Sequence, residues 1–407
     1  MNAQVPCAPA HEIKGESKMM NRRNIAAAAL AACLTASALA GCGGRKADEP
    51  VIRIGVIEPL TGANGAAGFQ EMLGIRYANQ VYPTVTIGGE TYTVKLVEAD
   101  NKSDCAEAVN AAGALAGEHV SVALGSYGSD LSMAAGAVFA ENGIPAIGCS
   151  CTNPQVTEGN DSYFRVCFSD PLQGTAMANY AYQNNAKSAA VITQLGDDYS
   201  SGLGGYFKDA FSSLGGQIVY DQQFQAGQTD FRSILTNLQA QNPDIIFAPS
   251  SLTAAPLIIR QARELGITAV IAGGDAWENS AVISEAGAAA EGVVLTAAFD
   301  ESEPANDEAA AFIKGFREYL RAEKQDESIP AVSALGYDAY LAAIKAIEAA
   351  DSTDPAAIRQ ALSSVVVEGA TGTITFNGTG DANKNLAFIK VIRDGRFQFL
   401  TTSTISR

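Results

Sequence analysis

The sequence predicts an α/β protein built as two doubly wound parallel-sheet lobes joined by a hinge that the chain crosses three times. Two successive series of apolar, β-branched runs alternate with alanine-rich helical stretches, the pattern that parallel strands with crossover helices impose. The chain has 407 residues, well beyond one ordinary core, so two domains are the first expectation. Only beyond Asp300 does the alternation break, where two helical stretches come in succession and short strands close the chain.

At the N-terminus, Arg22 and Arg23 precede Ile25 to Ala40, an alanine- and leucine-rich run too short and too weakly apolar for a membrane span but laid out as a signal peptide. Leu39-Ala40-Gly41-Cys42 closes that run. The tetrapeptide resembles the lipobox of bacterial lipoproteins. That resemblance implies a lipoprotein signal peptide over residues 1–42, with Cys42 acylated as the first mature residue and the protein held on the outer side of the cell membrane. The plain alternative is a secreted protein in which Cys42 is incidental. The polar residues before Met19 fit a signal peptide poorly, so Met19 or Met20 is an alternative start. Residues 43–50 read as a short polar tether, and no later apolar run is long enough to span a bilayer. Without residues 1–42 the chain carries 23 basic and 42 acidic residues, a net charge of −19. Such a surface repels nucleic acid and anionic lipid heads.

Val51 to Ile57, Thr93 to Glu98, Ser121 to Leu124 and Ile144 to Gly148 read as the strands of the first sheet, each followed by a helical stretch. A second series follows Asp170, with strands at Ala189 to Gln194, Gln217 to Tyr220, Asp244 to Ala248, Ala269 to Ala272 and Gly292 to Thr296. Phe312, Ile313, Phe316 and Leu320 then give an apolar helix face, and a second helix runs from about Ala331 to Ala349. Asn377-Gly378 marks a turn, and Asp394-Gly395 one that joins Leu386 to Ile392 and Phe397 to Leu400 as a hairpin. The expected organisation is an N-terminal lobe of residues 51–170 and 300–371 and a C-terminal lobe of residues 171–299 and 372–407. Crossings fall near Asp170, Asp300 and Thr371.

Two doubly wound sheets leave a cleft where strand ends and helix N-termini converge on a ligand. Leu124 to Asp130 and Gly148 to Pro154 are hydroxyl-rich turns entering helices. Ser129, Ser150 and Thr152 can donate hydroxyl protons there while backbone N–H groups and helix dipoles favour an anion, which makes a ligand carboxylate a sensible occupant. For any one of them, helix capping is the competing account.

Four segments carry a resemblance to a known family: Ile54 to Gly62, Thr152-Asn153-Pro154 with Val156-Thr157, Phe164 to Gly174, and Arg260 to Gly266. From Val51 to Phe399 the chain resembles the branched-chain amino-acid (Leu/Ile/Val) binding family of solute-binding proteins, partners of ATP-driven importers. The resemblance implies a type I periplasmic-binding fold, an extracytoplasmic location, no catalytic role, no cofactor or metal, and a monomer working with an ABC permease complex. It also implies residue roles. Ser129, Ser150 and Thr152 match positions that hold an α-carboxylate by side chain or backbone. Asp275, in Gly273-Gly274-Asp275-Ala276-Trp277, matches the acid that holds the α-ammonium, although Asp stands where Glu is expected and shortens the reach. Asp170 matches an acid at the first interlobe crossing, and Tyr199 a cleft aromatic. Trp277, the one tryptophan, completes the candidate set, with interlobe packing the alternative for both aromatics. The first loop departs from the pattern: Ala67 stands where some relatives carry an aromatic, which widens the pocket and leaves the amino acid open. The same scaffold also serves amides, ureas and aromatic or organic acids, or an exported sensor.

Competing chemistry fares poorly. Thr61-Gly62, Gly65 and Gly68 have the wrong spacing for a dinucleotide loop. His119 is the one histidine after Cys42, and no His/Cys cluster has zinc spacing. Asp197-Asp198 reads as solvated surface rather than a glycosidase pair. Cys105, Cys149, Cys151 and Cys167 allow three disulfide pairings in an oxidising compartment. Cys151 with Cys167 is favoured because both lie in the segments that best match the family, and Cys105 with Cys149 follows as the weaker pair.

The lipobox generates the first prediction. Cys42→Ser should abolish incorporation of a metabolic fatty-acid probe and leave the protein unanchored, whereas label retained in the variant would show that Cys42 is not the acylated residue.

Overall fold

A computed structural model describes residues 50–405. The signal peptide, Cys42 and residues 43–49 of the tether therefore lie outside the described residues. The chain first builds β1 (Val51–Glu58), α1 (Gly65–Val81), β2 (Thr84–Ile87), β3 (Glu90–Asp100), α2 (Cys105–Gly117), β4 (Val122–Leu124), α3 (Ser129–Glu141), β5 (Ala146–Gly148) and β6 (Tyr163–Arg165). These strands form one sheet in the order β2-β3-β1-β4-β5-β6. All neighbours are parallel except β2, which pairs antiparallel with β3 at the edge.

Period-two alternation decides the faces of this sheet. Ile52, Ile54 and Val56 of β1 pack with Met72 and Ile75 of α1 on one side. Ile57 and Ala123 pack with Leu115 of α2 and Phe139 of α3 on the other. Helix starts are set locally: the Asp104 carboxylate caps α2 by accepting from the N–H groups of Ala106 and Glu107 at 2.9 and 3.0 Å.

A second sheet follows through α4 (Asp170–Gln183), β7 (Ser188–Gln194), α5 (Asp198–Ser213), β8 (Gln217–Phe224), α6 (Arg232–Gln239), β9 (Ile245–Phe247), α7 (Ala255–Glu264), β10 (Val270–Gly273), α8 (Ser280–Ala286) and β11 (Val294–Ala297). Ile192, Ile246 and Ile271 pack with Leu235 and Ile258 on one face. Val191, Phe247 and Ala272 pack with Met177, Phe207 and Phe211 on the other. The chain then returns to the first lobe with α9 (Asp307–Ala322), α10 (Ala331–Ala350) and α11 (Pro355–Leu362), whose Phe312, Tyr340 and Ile358 join the core of β1 and α1. Helix α10 lies so close to α1 that a Cβ at Gly74 would meet the Ser333 carbonyl oxygen at 1.9 Å.

The last elements are β12 (Val367–Gly369), β13 (Gly372–Ile374), β14 (Leu386–Arg393) and β15 (Arg396–Thr404). Residues beyond Thr371 stay with the first lobe's core through Ile374, Phe376 and Ala382, and the chain enters the second sheet at β14. That sheet runs β15-β14-β11-β10-β9-β7-β8, with β14 antiparallel to both neighbours. Asp394 and Gly395 hold φ of 51° and 67°, the left-handed pair that a two-residue hairpin needs. Among the described residues no helix is long and apolar enough to cross a membrane.

Arg165 of β6 fastens the end of the first sheet. Its side chain is fully buried; Nε donates to Asp381 Oδ1 at 2.7 Å and Nη1 to the carbonyls of Cys151 and Asn153 at 3.1 and 2.7 Å. A lysine keeps the charge but loses the planar fork that serves three acceptors at once. Arg165→Lys should therefore lower unfolding stability by about 1.5 to 3 kcal/mol, the usual cost of losing hydrogen bonds made by a charged group. Urea denaturation checks it, and a loss below about 1 kcal/mol would show that the fork is dispensable.

Candidate functional site

The carboxyl ends of both sheets face a common cleft, and the lobes are closed on each other across it. Asn153 Nδ2 donates to the Asp198 carbonyl at 2.8 Å, Asn279 Nδ2 to Gln70 Oε1 at 3.0 Å, and the Ala331 N–H to Glu278 Oε2 at 3.0 Å. Ala67, Tyr127 and Val332 of the first lobe share one apolar cluster with Trp277 and Leu252 of the second. Between them remains a narrow pocket of about 40 Å³, partly open to solvent. First-lobe residues lining it include Asn64, Tyr127, Ser129, Asp130 and Ser150; the second lobe contributes Asp197, Tyr199, Ser250, Ser251, Asp275 and Ala276.

The serine turns sit where the sequence places them. Ser129 is the first residue of α3 and is buried; its Oγ accepts from the Asn153 N–H at 3.1 Å, so its own proton remains for a ligand. Ser150 also lines the pocket, but its hydroxyl proton goes to Glu71 Oε2, which leaves its backbone and its lone pairs for a ligand. Thr152 is fully buried and its Oγ1 makes no hydrogen bond.

Opposite these turns, β10 ends and the chain bends through a short 3₁₀ turn at Asp275–Trp277. Gly274 is required there, because a Cβ would meet Tyr199 Oη at 2.2 Å. That closeness lets Tyr199 Oη donate to Asp275 Oδ1 at 2.8 Å. Gln173 Nε2 donates to the same oxygen at 3.1 Å and to Asp170 Oδ1 at 2.8 Å, so one amide bridges two acids. Asp170 Oδ2 is buried with no hydrogen bond. Burial pushes the Asp275 carboxyl up from the usual range. Burial, reinforced by the Asp275 charge, pushes Asp170 up to about 7. Asp197, which caps α5 by accepting from the Ser200 N–H at 2.9 Å, is pushed up to about 6, mainly by burial and then by the charges of Asp130 and Asp198.

Thr152, Asp170 and Trp277 lie behind the pocket rather than on its lining, and Trp277 belongs to the apolar core. Its ring is fully buried in the second lobe's core, with Nε1 donating to the Ser250 carbonyl at 3.2 Å, so it backs the Asp275 turn without lining the pocket. The expected disulfide is also absent: Cys105, Cys149, Cys151 and Cys167 are free thiols. Cys167 Sγ lies 3.6 Å from the Cys151 carbonyl oxygen and donates to it. The Cys151 thiol packs over Gly148 and lies within hydrogen-bond reach of the Cys167 thiol, so the expected pair is in contact but not bonded.

Several site residues escaped sequence reasoning. Tyr127 and Gln173 lie inside segments quoted for their motif value, yet nothing in their type marked them. Glu58 and Glu71 carried a readable signal: each is an acid where the pattern calls for a buried apolar residue, Glu58 at the end of an apolar strand and Glu71 beside Met72 and Leu73.

A pocket closed between two doubly wound lobes, with hydroxyl turns on one wall and a buried acid on the other, defines a two-lobed solute-binding protein. The chain belongs to the periplasmic binding protein family, whose model matches residues 51–396. Among its relatives, Leu/Ile/Val-binding protein homolog 3 of Brucella melitensis biotype 1 is 32% identical over 339 residues, covering 81% of this chain and 88% of that protein. The structure is similar to a leucine binding protein, LivK, from Thermotoga maritima MSB8, with 35% identity, a TM-score of 0.81, and 87% of this chain and 99% of that one covered. It is also similar to the branched-chain amino acid transporter substrate binding protein LivJ from Streptococcus pneumoniae in complex with isoleucine, at 28% identity and a TM-score of 0.79, over 87% of this chain and 99% of that one.

Proposed function

We propose that this chain is the extracytoplasmic solute-binding component of an ABC importer, anchored through Cys42, and that it captures an amino acid with an apolar, branched side chain between its lobes. The observation that carries this reading is a gap shaped for a cation. Asp275 lines the pocket and Asp170 is buried behind it, the two bridged by Gln173, and no Lys, Arg or His lines the pocket among the described residues. A buried acid without a cation is costly, and an α-ammonium supplies one. The α-carboxylate then falls to the Ser129 hydroxyl and the backbone of the 150–152 turn, at the N-terminus of α3. LivK is a leucine binding protein and LivJ is seen in complex with isoleucine, which supports the same reading.

Capture proceeds by closure. Contacts from both lobes favour the closed form, and a permease need only distinguish closed from open. The binding protein itself makes and breaks no bond. One specific observation favours a second reading of the side chain: Asp130 and Asp197, one from each lobe, both line the pocket, and a cationic side chain would relieve their repulsion. A thermal-shift panel of the proteinogenic amino acids with ornithine separates the two readings.

Asp275→Asn keeps the size and removes the charge. With the amino acid giving the largest thermal shift, calorimetric titration should show a loss of affinity of about a hundredfold or more, since breaking one side of a buried pair costs about 3 to 5 kcal/mol. Ser129→Ala removes one donor to a carboxylate and should cost about 1.5 to 3 kcal/mol. If Asp275→Asn binds as tightly as wild type, the ligand has no amine at that position and the amide or organic-acid reading takes over.

A further inference from the structure

Behind the Ser150 wall of the pocket the structure buries two carboxylates against each other. Glu58 ends β1 and Glu71 sits in the second turn of α1; both are fully buried. An oxygen of each, together with the Cys149 sulfur, lies within 4.8 Å of the others. Glu58 Oε2 accepts from the Tyr127 N–H at 2.8 Å, and Glu71 Oε2 accepts the Ser150 hydroxyl proton. The remaining oxygens, Glu58 Oε1 and Glu71 Oε1, are buried and receive no donor from the protein.

The surroundings hold nothing that would neutralise two anions. Glu58 is faced by Glu71, Tyr127, Tyr163 and Cys151, and Glu71 by Glu58, Ser150, Cys149, Tyr127 and, across the cleft, Asp275. The nearby buried cation, Arg165, is committed to Asp381 and to backbone carbonyls. Like charges this close and this dry do not both persist, and one proton shared by the pair removes one of them.

We propose that Glu58 and Glu71 hold a single proton between them, and that this shared proton couples ligand capture at the Ser150 wall to pH. The coupling rests on the amino-acid reading above; the shared proton does not. Both glutamates act as positioning residues, since Ser150 and not either carboxyl lines the pocket. While the proton is present, the pair carries one negative charge and Ser150 is held toward Glu71. When it leaves, a second negative charge appears one side chain away from the ligand carboxylate. Burial already pushes Glu71 up to about 7 and Glu58 well above its usual range. A bound carboxylate raises the pair further, so the liganded protein holds the proton more tightly than the free protein. Affinity is therefore highest below neutrality and falls as pH rises past about 7. An ammonium on Asp275 opposes this from across the cleft, and more weakly.

Two measurements decide it. Infrared difference spectra of the unliganded protein at pH 7, wild type minus Glu58→Gln and wild type minus Glu71→Gln, should each show the carbonyl stretch of a protonated carboxylic acid, and the band should disappear from wild type as pH rises. Its absence from both differences overturns the shared proton, and the difference against whichever variant folds decides should the other fail to fold. Calorimetry with L-leucine should show affinity falling about fivefold or more from pH 6.5 to pH 8.5 in wild type and little change in Glu71→Gln. Binding that is independent of pH in wild type overturns the coupling. No binding of L-leucine at either pH, with other amino acids equally silent, counts against the amino-acid reading and leaves the infrared result to judge the proton.

Discussion

Asp275 is a half-buried carboxylate between two lobes that bring it no positive charge, and the closed structure is organised around that imbalance. Its hydrogen bonds come from Tyr199 and Gln173, both neutral, and Gln173 is shared with a second acid, Asp170. Neutral donors lessen the cost of burying an anion without removing it. The body's own buried cations are occupied elsewhere. Arg165 grips Asp381, and Lys384 Nζ donates to the Thr371 carbonyl at 2.8 Å and its hydroxyl at 3.0 Å. Lys390 pairs with Glu278 and with Asp300 at 3.0 Å. The fold spends its positive charge on scaffolding and leaves its binding wall acidic.

The scaffolding in turn explains how closure reaches the site. Lys390 lies in β14 of the second sheet, Asp300 where the chain returns toward the first lobe, and Glu278 directly after the Asp275 turn. Glu278 also accepts from the N-terminus of α10, so the turn that carries Asp275 is tied to the first lobe by a charged group that is itself paired. Such a trio adds little net stability, because desolvation offsets most of the attraction. What it contributes is placement: removing any member strands a buried charge within reach of the pocket. Gly274 completes this placement at the backbone level, since Tyr199 Oη occupies the space a side chain would need.

Much of the fold was legible because alternation of β-branched runs and alanine-rich helices is a backbone-scale signal. The two sheets follow from it, while the paired helices α9 and α10 follow from helical spacing of apolar residues and the last hairpin from its Asp394-Gly395 turn. Strands β2 and β6 were missed for a physical reason: β2 is an exposed edge strand of four residues and β6 has three, both too short for periodicity to register. At the site, hydroxyls and acids at strand ends could be named, but not their directions. Ser150 turned out to donate inward to Glu71, and Trp277 to face the core. The segments that suggested pairing Cys151 with Cys167 do bring the two thiols into contact, but both remain free. Glu58 and Glu71 were passed over because an acid beside apolar neighbours is ordinarily a surface residue, and only the packing of α10 and α3 around them shows otherwise.

The most direct measurement of the central account acts on the ligand and leaves the protein untouched. Calorimetric titration of wild-type protein with the best-binding amino acid and with its des-amino analogue compares two molecules that share the carboxylate and the side chain and differ in the ammonium. If Asp275 is completed by that ammonium, the analogue should bind about a hundredfold more weakly or worse, because it buries the acid without its partner. Equal affinity for the two would contradict the account, since a pocket organised around an unpaired acid could not accept them alike.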